Sequence, residues 1–317
     1  MLNPFEAVLL ITFGGPTKRT EIRPFLNVVL SGRPIPKERF EEVVRHYEVI
    51  SGASPINEIT ARQASALQAA LVHAGTPLPV YVGMRNWHPF LADVLAKMAD
   101  DGIRRAVGFI LAAHWSEASF QRYIESVDKV LDRLGSRAPC IDYVDPWFDH
   151  PLFIRAAASR IEEVLPDFPA ERRHQAAWIF SAHSIPTAAG AGAERYQREL
   201  FRSVELVCKQ LGRRSWQVAY QSRSGSPRDL WLEPDIGDAI RADAAKGTKD
   251  VLVIPVGFVA DHVEVLFDLD IQAKQIAESL GVHYVRAKTV GEHPAFIEMM
   301  VSVIAQALAG NSRGSQL

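Results

Sequence analysis

Cysteine is scarce in this chain, with Cys140 and Cys208 the only two among 317 residues. Two thiols cannot hold a four-cysteine iron–sulfur cluster, and they give no disulfide framework. Long apolar runs are missing as well. A stretch such as 106–113 falls far short of the ~20 residues that span a bilayer. The beginning, MLNPFEAVLLITFGG, has an apolar stretch but neither a basic region before it nor a small-residue cleavage site, so a soluble, cytoplasmic protein is expected. Charge of one sign is not in excess, with 35 Lys and Arg against 37 Asp and Glu. That balance offers no electrostatic footprint for a nucleic-acid backbone. G-x-G-x-x-G and G-K-[ST] are absent, which argues against a nucleotide cofactor, and no C-x-x-C, H-E-x-x-H or EF-hand loop points to a permanently bound metal.

What remains is an ordinary folded composition, 48% hydrophobic and 23% charged. Apolar runs rich in β-branched and aromatic residues fall at 7–13, 80–83, 106–111, 177–181, 217–220, 250–255 and 282–285. Their hydrophobicity is continuous rather than alternating, as in parallel strands buried on both faces. Amphipathic helical patterns at 60–74, 118–134, 193–211 and 234–246 lie between them. Gly102 and Gly247 each read as the residue that ends a helix and releases the chain into a strand. The fold class is therefore α/β, with two similar lobes built on parallel sheets. The expected division is 1–115 and 116–293, with a last helix at 294–309 packing back on the first lobe.

In open α/β sheets, ligands collect beyond the carboxyl ends of the strands. That rule selects FGGP (13–16), GMRNW (83–87), AAHWS (112–116), SAHSIP (181–186), YQSRSG (220–225) and VADHVE (259–264). FGGP reads best as a tight turn where backbone approaches something closely. His183 follows a strand directly and is either a working imidazole or a satisfied structural one. Ser184 lacks a G-x-S-x-G elbow, so a hydrolase triad is not expected. Glu264, Asp268 and Gln272 recur at four-residue spacing and would share one helix face. They form either a solvated acidic face or a line of oxygen ligands leading a divalent cation towards an imidazole. A metal held this way is a passing substrate.

The ordered set LLITFGGP, GASPINEIT, GMRNWHPF, SAHSIP, YQSRSG, WLEPDI and VGFVADHVEVLFDLD resembles the ferrochelatases along nearly the whole chain. The resemblance implies two Rossmann-like lobes around a porphyrin cleft, with His183 and Glu264 facing the metal-receiving side of the macrocycle. It leans towards the coproporphyrin III enzymes of actinobacteria, through FLNVVLSGRPIPKERFEEVVRHYEVISGASPIN and through ASFQRYIES, which carries Tyr123. The cluster cysteines or membrane features that a C-terminal extension gives some protoporphyrin enzymes are not expected here. Three departures stand out. Phe13 replaces a tyrosine of bacillary relatives, Gln272 interrupts the acidic row, and Ala112–Ala113 replaces a proline-containing turn.

On that basis His183 and Glu264 are the expected catalytic residues, and His183, Glu264 and Asp268 the expected metal contacts. Phe13, Trp87 and Trp231 are expected as ring walls, and Arg33, Tyr47, Ser54 and Tyr123 as donors to the propionates. With Phe13 unable to coordinate, Tyr123 or else His114 is the expected ligand on the opposite side of the product's iron. Porphyrin and ferrous iron are the expected partners, without an organic cofactor, a nucleic acid or a second subunit. The alternatives are a protoporphyrin IX ferrochelatase, a cobalt or sirohydrochlorin chelatase, and a non-catalytic haem or porphyrin carrier.

Overall fold

A computed structural model describes residues 4–32, 35–224 and 229–310, so Arg33 lies outside the described residues. The first half runs β1 (Ala7–Thr12), α1 (Ile22–Leu30), α2 (Lys37–Val49), α3 (Ile56–His73), β2 (Val80–Met84), α4 (Leu91–Asp100) and β3 (Arg105–Ile110). A π-helical turn, Glu117–Gln121, then leads into α5 (Arg122–Leu134) and β4 (Cys140–Tyr143). The second half runs α6 (Pro151–Val164), β5 (Ala177–His183), α7 (Ala191–Gln210), β6 (Gln217–Gln221), α8 (Ile236–Ala245) and β7 (Asp250–Ile254). It ends with α9 (Val263–Leu266), a π-helical segment Asp268–Ala273, α10 (Lys274–Ser279), β8 (His283–Arg286) and α11 (Pro294–Leu308).

Two four-stranded parallel sheets result, ordered β2-β1-β3-β4 and β6-β5-β7-β8. The continuous apolar strands explain themselves by having core on both faces. Val8 and Leu10 of β1 enter one cluster while Ala7, Leu9 and Ile11 enter another. Trp178, Phe180 and Ala182 of β5 join the cluster that contains Val8 and Leu10, so the two sheets share one core through α3, α6, α7 and α11. The last helix packs against both α3 and α6. Gly102 and Gly247 have φ of 79° and 91°, the left-handed conformation that glycine adopts without a Cβ clash.

One strand escapes the hydrophobic pattern. β4 is four residues of CIDY at a sheet edge, none of them buried, and it pairs with β3 from Arg105↔Cys140 to Gly108↔Tyr143. A boundary at 115 therefore cuts the first sheet; the sheet continues to Tyr143, because an edge strand needs little apolar sequence to pair. Likewise the helix expected from 118 begins as a π turn, capped by Ser116, whose hydroxyl accepts the Ser119 N–H at 3.1 Å.

In each sheet the chain order reverses beside the first strand, between β1 and β3 and between β5 and β7. Ligands in such sheets bind at that point, beyond the carboxyl ends. In this chain the rule selects the residues after Thr12 and Ile110 in the first sheet, and His183 with the loop after Ile254 in the second.

Candidate active site

His183 ends β5, and its backbone is held on two sides. Tyr196 of α7 donates to the His183 carbonyl at 3.1 Å, and the next residue, Ser184, donates its N–H to the Gln221 carbonyl at 2.7 Å. The Ser184 hydroxyl is spent on the Leu232 carbonyl, at 3.0 Å, so it fixes the turn and is no nucleophile. The imidazole Nδ1 lies 2.5 Å from the Ser184 carbonyl. A carbonyl only accepts, so Nδ1 carries a proton and Nε2 is the nitrogen left for chemistry.

Nε2 stands 3.5 Å from Oε1 of Glu264, and about a third of each side chain is open to the cleft. Burial disfavours charge on both groups, but their mutual attraction outweighs it. The imidazole, helped by the Ser184 carbonyl and Asp268, is pushed up to about 8. Against the same burial, His183 and then His262 hold the Glu264 carboxyl down to about 2. The two groups thus face each other as an imidazolium–carboxylate pair.

Glu264 is delivered by α9, which His262 caps by accepting the Glu264 N–H on Nδ1 at 3.3 Å. His262 Nδ1 is also 4.0 Å from Glu264 Oε2. Burial lowers the basicity of this second imidazole, against the pull of Glu264 and Asp261. Sequence reasoning picked out VADHVE but gave His262 no role; the signal was its place just before an acidic helix start, where a side-chain acceptor is favoured. Gln221 of β6 faces His183 across the sheet and donates to the Glu264 carbonyl. Behind Glu264, Asp268 accepts a hydrogen bond from Ser222, a non-glycine residue held at φ 64°. Burial raises the Asp268 carboxyl to about 7, with Ser222 opposing and Glu264 adding to the rise. Asp268 and Gln272 line one open cavity of about 460 Å³ together with Gln221, Ser222, Asp235 and Arg241. Glu264 does not line that cavity, so only the outer two members of the row share it, and they lie on a π segment rather than along a regular helix.

The expected ring-binding residues divide. Phe13 follows β1 and is the most open of those described, 37% exposed, with its ring edge-on to Phe25 at 6.3 Å. Trp231 forms an isolated antiparallel bridge with Pro186, beside the turn after His183. Ser54 is buried at the FGGP turn, its N–H on the Pro16 carbonyl at 2.8 Å, and a Cβ on Gly15 would come within 2.8 Å of it. Tyr47 and Trp87 sit with Ile22, Phe25, Leu26 and Val44 in the core of the α1–α2 cap. Their rings meet Phe25 edge-on, each at 5.9 Å, and the Trp87 indole donates to Glu21 at 3.1 Å. Trp87 is thus a packed core residue here, and not an open wall: an aromatic after a strand end reads alike in both settings. Tyr123 is 7% exposed in an apolar cluster with Leu91, Leu95 and Phe120. Burial raises both the Tyr47 and Tyr123 phenols, and the Glu264 charge reaches both.

His114 is not part of this site. Its Nε2 lies 2.9 Å from the Ser203 hydroxyl, whose own proton goes to the Phe148 carbonyl at 2.6 Å. The imidazole must then donate from Nε2, and burial lowers it to about 3, so it is a neutral core group.

The α1–α2 cap closes over α9. Val263 packs into the cap's core, and His46 of α2 stacks on Phe267 at 3.7 Å with 14° between the rings. From α3, Gln63 donates to the carbonyls of Val259 and Gly291 at 3.2 and 3.0 Å, tying the glutamate-bearing loop to the first sheet.

The sequence model of the ferrochelatase family matches residues 5–308. A Mycolicibacterium smegmatis protein described as coproporphyrin III ferrochelatase is 40% identical over 308 residues, covering 96% of this chain and 91% of that one. A Nocardia farcinica protein of the same description is 40% identical over 312 residues, with 96% and 89% covered. A Rhodopirellula baltica ferrochelatase is 38% identical, with 97% and 87% covered. Among solved structures, a sirohydrochlorin chelatase of Bacillus subtilis subspecies spizizenii in complex with cobalt superposes with a TM-score of 0.59 at 10% identity, covering 98% of both chains. That likeness is one of fold.

Proposed function

The chain belongs to the ferrochelatase family, enzymes that insert iron into a porphyrin, and we propose that it acts on coproporphyrin III through His183, Glu264 and Asp268. The observation that carries the site assignment is the His183–Glu264 pair: one free imidazole nitrogen, 3.5 Å from a carboxylate, at the switch point of the second sheet.

Insertion exchanges two pyrrole protons for one Fe(II). In the empty enzyme Glu264 supports a proton on His183. A dication arriving at Glu264 takes over that carboxylate's charge and withdraws the support, so the imidazole gives up its proton and Nε2 becomes a base. Its Nδ1–H on Ser184 holds the ring in place while Nε2 accepts the two pyrrole protons in turn, passing its own proton and then the first pyrrole proton to solvent by way of Asp268 before it takes the second. Asp268, with its carboxyl near 7, both attracts the incoming cation and takes a proton outward to the cavity it lines. A planar macrocycle hides its nitrogen lone pairs, so a cleft that favours the bent ring lowers the barrier. Phe13 and Trp231 serve as ring contacts, Ser54 and Tyr123 as donors to carboxylates. Ferrous iron and porphyrin are the only reactants, and no cofactor takes part.

Coproporphyrin III is supported by the descriptions of the M. smegmatis and N. farcinica relatives, whereas that of the R. baltica relative names no porphyrin, and protoporphyrin IX is the competing substrate. Turnover on the two porphyrins with Fe(II), followed by absorbance, tests this. A higher kcat/KM for coproporphyrin III is expected; equal or better use of protoporphyrin IX overturns the substrate while leaving metal insertion in place. No helix among the described residues is long and apolar enough to cross a membrane. The reading takes the enzyme to work as a single chain in the cytoplasm, which sedimentation and cell fractionation test.

A further inference from the structure

Arg286 closes β8 with its guanidinium only 11% exposed, and it takes no part in the steps above. Its Nε and Nη2 fork onto Oδ1 and Oδ2 of Asp270 at 2.5 and 2.8 Å. Nη1 and Nη2 also reach the two carboxylate oxygens of Asp261 at 3.4 and 3.5 Å, and Nη1 donates to the Ala287 carbonyl at 3.2 Å. The positions of the two acids give this cluster its meaning. Asp261 immediately precedes His262 in the loop that delivers Glu264, whereas Asp270 lies inside the π segment that carries Asp268.

A π turn widens the backbone and is uncommon unless its surroundings hold it. The wide turn shows in the Gln272 N–H, which bonds to the Phe267 carbonyl at 3.0 Å, five residues back. β8 grips this segment twice, through Arg286 on Asp270 and through Tyr284, whose hydroxyl donates to the Leu269 carbonyl at 2.9 Å. Asp261 lies before the first turn of α9 and Asp270 beyond Phe267, where α9 passes into the π segment. The guanidinium bridges the two acids across that junction.

We propose that Arg286 is a positioning residue for metal insertion: its fork onto Asp270 and Asp261 sets the π segment against the His262–Glu264 loop, and thereby the aim of Glu264 and Asp268 at the metal. The proposal rests on the roles given above to those two acids. A lysine keeps the charge but has a single ammonium on a flexible stem, so it cannot fork onto one carboxylate and reach a second.

The test is steady-state insertion of Fe(II) by the full-length enzyme and its Arg286→Lys, Arg286→Met, Asp270→Asn and Arg286→Met/Asp270→Asn variants, with thermal melts of each. Displacing a reacting group by about an ångström costs up to about 10²-fold in rate. Arg286→Met is therefore expected to lower kcat by about tenfold to 10²-fold while KM for porphyrin stays at the wild-type value. Arg286→Lys is expected to restore only part of that loss, and Asp270→Asn to add little once Arg286 is gone, because the two share one contact. Wild-type kcat in both Arg286 variants, whatever their melting temperatures, overturns the proposal; so do independent, multiplying effects of Arg286→Met and Asp270→Asn. If Arg286→Met fails to fold, Arg286→Lys and Asp270→Asn decide by the same kcat criterion. Glu264→Gln in the same assay separates the two claims: full turnover there removes the role of Glu264, while the Arg286 variants still report whether the segment's placement governs kcat.

Discussion

Nε2 of His183 and Oε1 of Glu264 stand 3.5 Å apart, and each holds the other in its charged form. One residue ends a strand and the other opens a helix, and two of their supports coincide: Gln221 pairs with His183 across the sheet and donates to the Glu264 carbonyl. Removing either side chain leaves its partner's placement intact. His183→Ala should lower iron insertion by about 10²–10⁴-fold, the usual range for loss of a general base, and Glu264→Gln, which removes the charge that meets the metal and releases the imidazole's proton, should lower it to a similar degree. Porphyrin affinity, read by fluorescence quenching, should stay close to wild type. A variant with near wild-type turnover removes that residue from the mechanism.

The same pair fixes a pH dependence. His183 is raised from 6.5 to about 8, so the stability it contributes is complete below 6.5 and is lost as pH climbs through about 8. Glu264 is lowered from 4.5 to about 2, so its contribution is complete above 4.5 and is lost as pH falls through about 2. The pair therefore stabilises the empty enzyme most between 4.5 and 6.5. Catalysis needs the opposite state of the imidazole. The kcat/KM profile, which reports the free enzyme, should rise with an apparent pKa near 8. In Glu264→Gln that limb should move down, because the carboxylate that supports the imidazolium is gone. A limb that stays at the wild-type pH in the variant rules out the coupling.

Much of this site could be read from the strand ends. A buried run that stops at a histidine and acids spaced by four put His183, Glu264 and Asp268 among the candidates, because strand burial and helix periodicity are local properties; it is the resemblance to the ferrochelatases that selects them. The π segment could not be read that way. DLDIQA has ordinary helical spacing, and what surrounds the widened turn comes from distant chain: Ser222 on Asp268, Tyr284 on Leu269 and Arg286 on Asp270. β4 was invisible for a different reason: an unburied edge strand of CIDY carries too little apolar sequence. Trp87 shows a third limit. Its indole is committed to Glu21 and its ring to Phe25, contacts that no spacing rule announces.

Ser222 offers a way to perturb Asp268 alone. Its hydroxyl lowers a carboxyl that burial has raised to about 7. Ser222→Ala should raise that carboxyl further, leaving more of it protonated and uncharged at neutral pH. KM for Fe(II) should increase several-fold near neutrality and recover as pH rises, with KM for porphyrin unchanged. An iron KM that does not respond to pH in this variant shows that Asp268 has no part in metal capture.

Gly257 sets the spacing between the loop after β7 and β5. Its N–H bonds to the Ser181 carbonyl at 3.1 Å, and a Cβ there would lie 2.6 Å from the Ala182 Cβ and 2.8 Å from its Cα. Backbone cannot swing aside as a flexible side chain does. Gly257→Ala should cost about 1–3 kcal/mol in stability, as overpacking does. It should also lift the loop bearing His262 and Glu264 away from His183, lowering kcat beyond the loss of folded protein. A melt shifted with kcat per folded enzyme unchanged shows that the loop does not depend on this contact.

The last prediction concerns the iron of the product, on the side opposite His183. Phe13 has no lone pair to offer. His114 is set aside by its burial, only 3% exposed, and by the Nε2–H it gives to Ser203. Tyr123 remains, but burial among Leu91, Leu95 and Phe120 raises its phenol, and the Glu264 charge raises it further while Arg85 opposes. Forming a phenolate in that setting is unfavourable, whereas a neutral phenol can still donate to a propionate oxygen. The ferric product complex should therefore show no tyrosinate signature in its absorption or electron paramagnetic resonance spectra, and Tyr123→Phe should leave both unchanged while raising KM for the porphyrin. His114→Ala should also leave the spectra unchanged, but it should lower stability by about 1–3 kcal/mol by removing a buried ring and the hydrogen bond that the Ser203 oxygen accepts from it. A high-spin tyrosinate spectrum that disappears in Tyr123→Phe would make Tyr123 the axial ligand. A nitrogen-ligated spectrum lost in His114→Ala would give that place to the histidine and contradict the hydrogen bonding on which its exclusion rests.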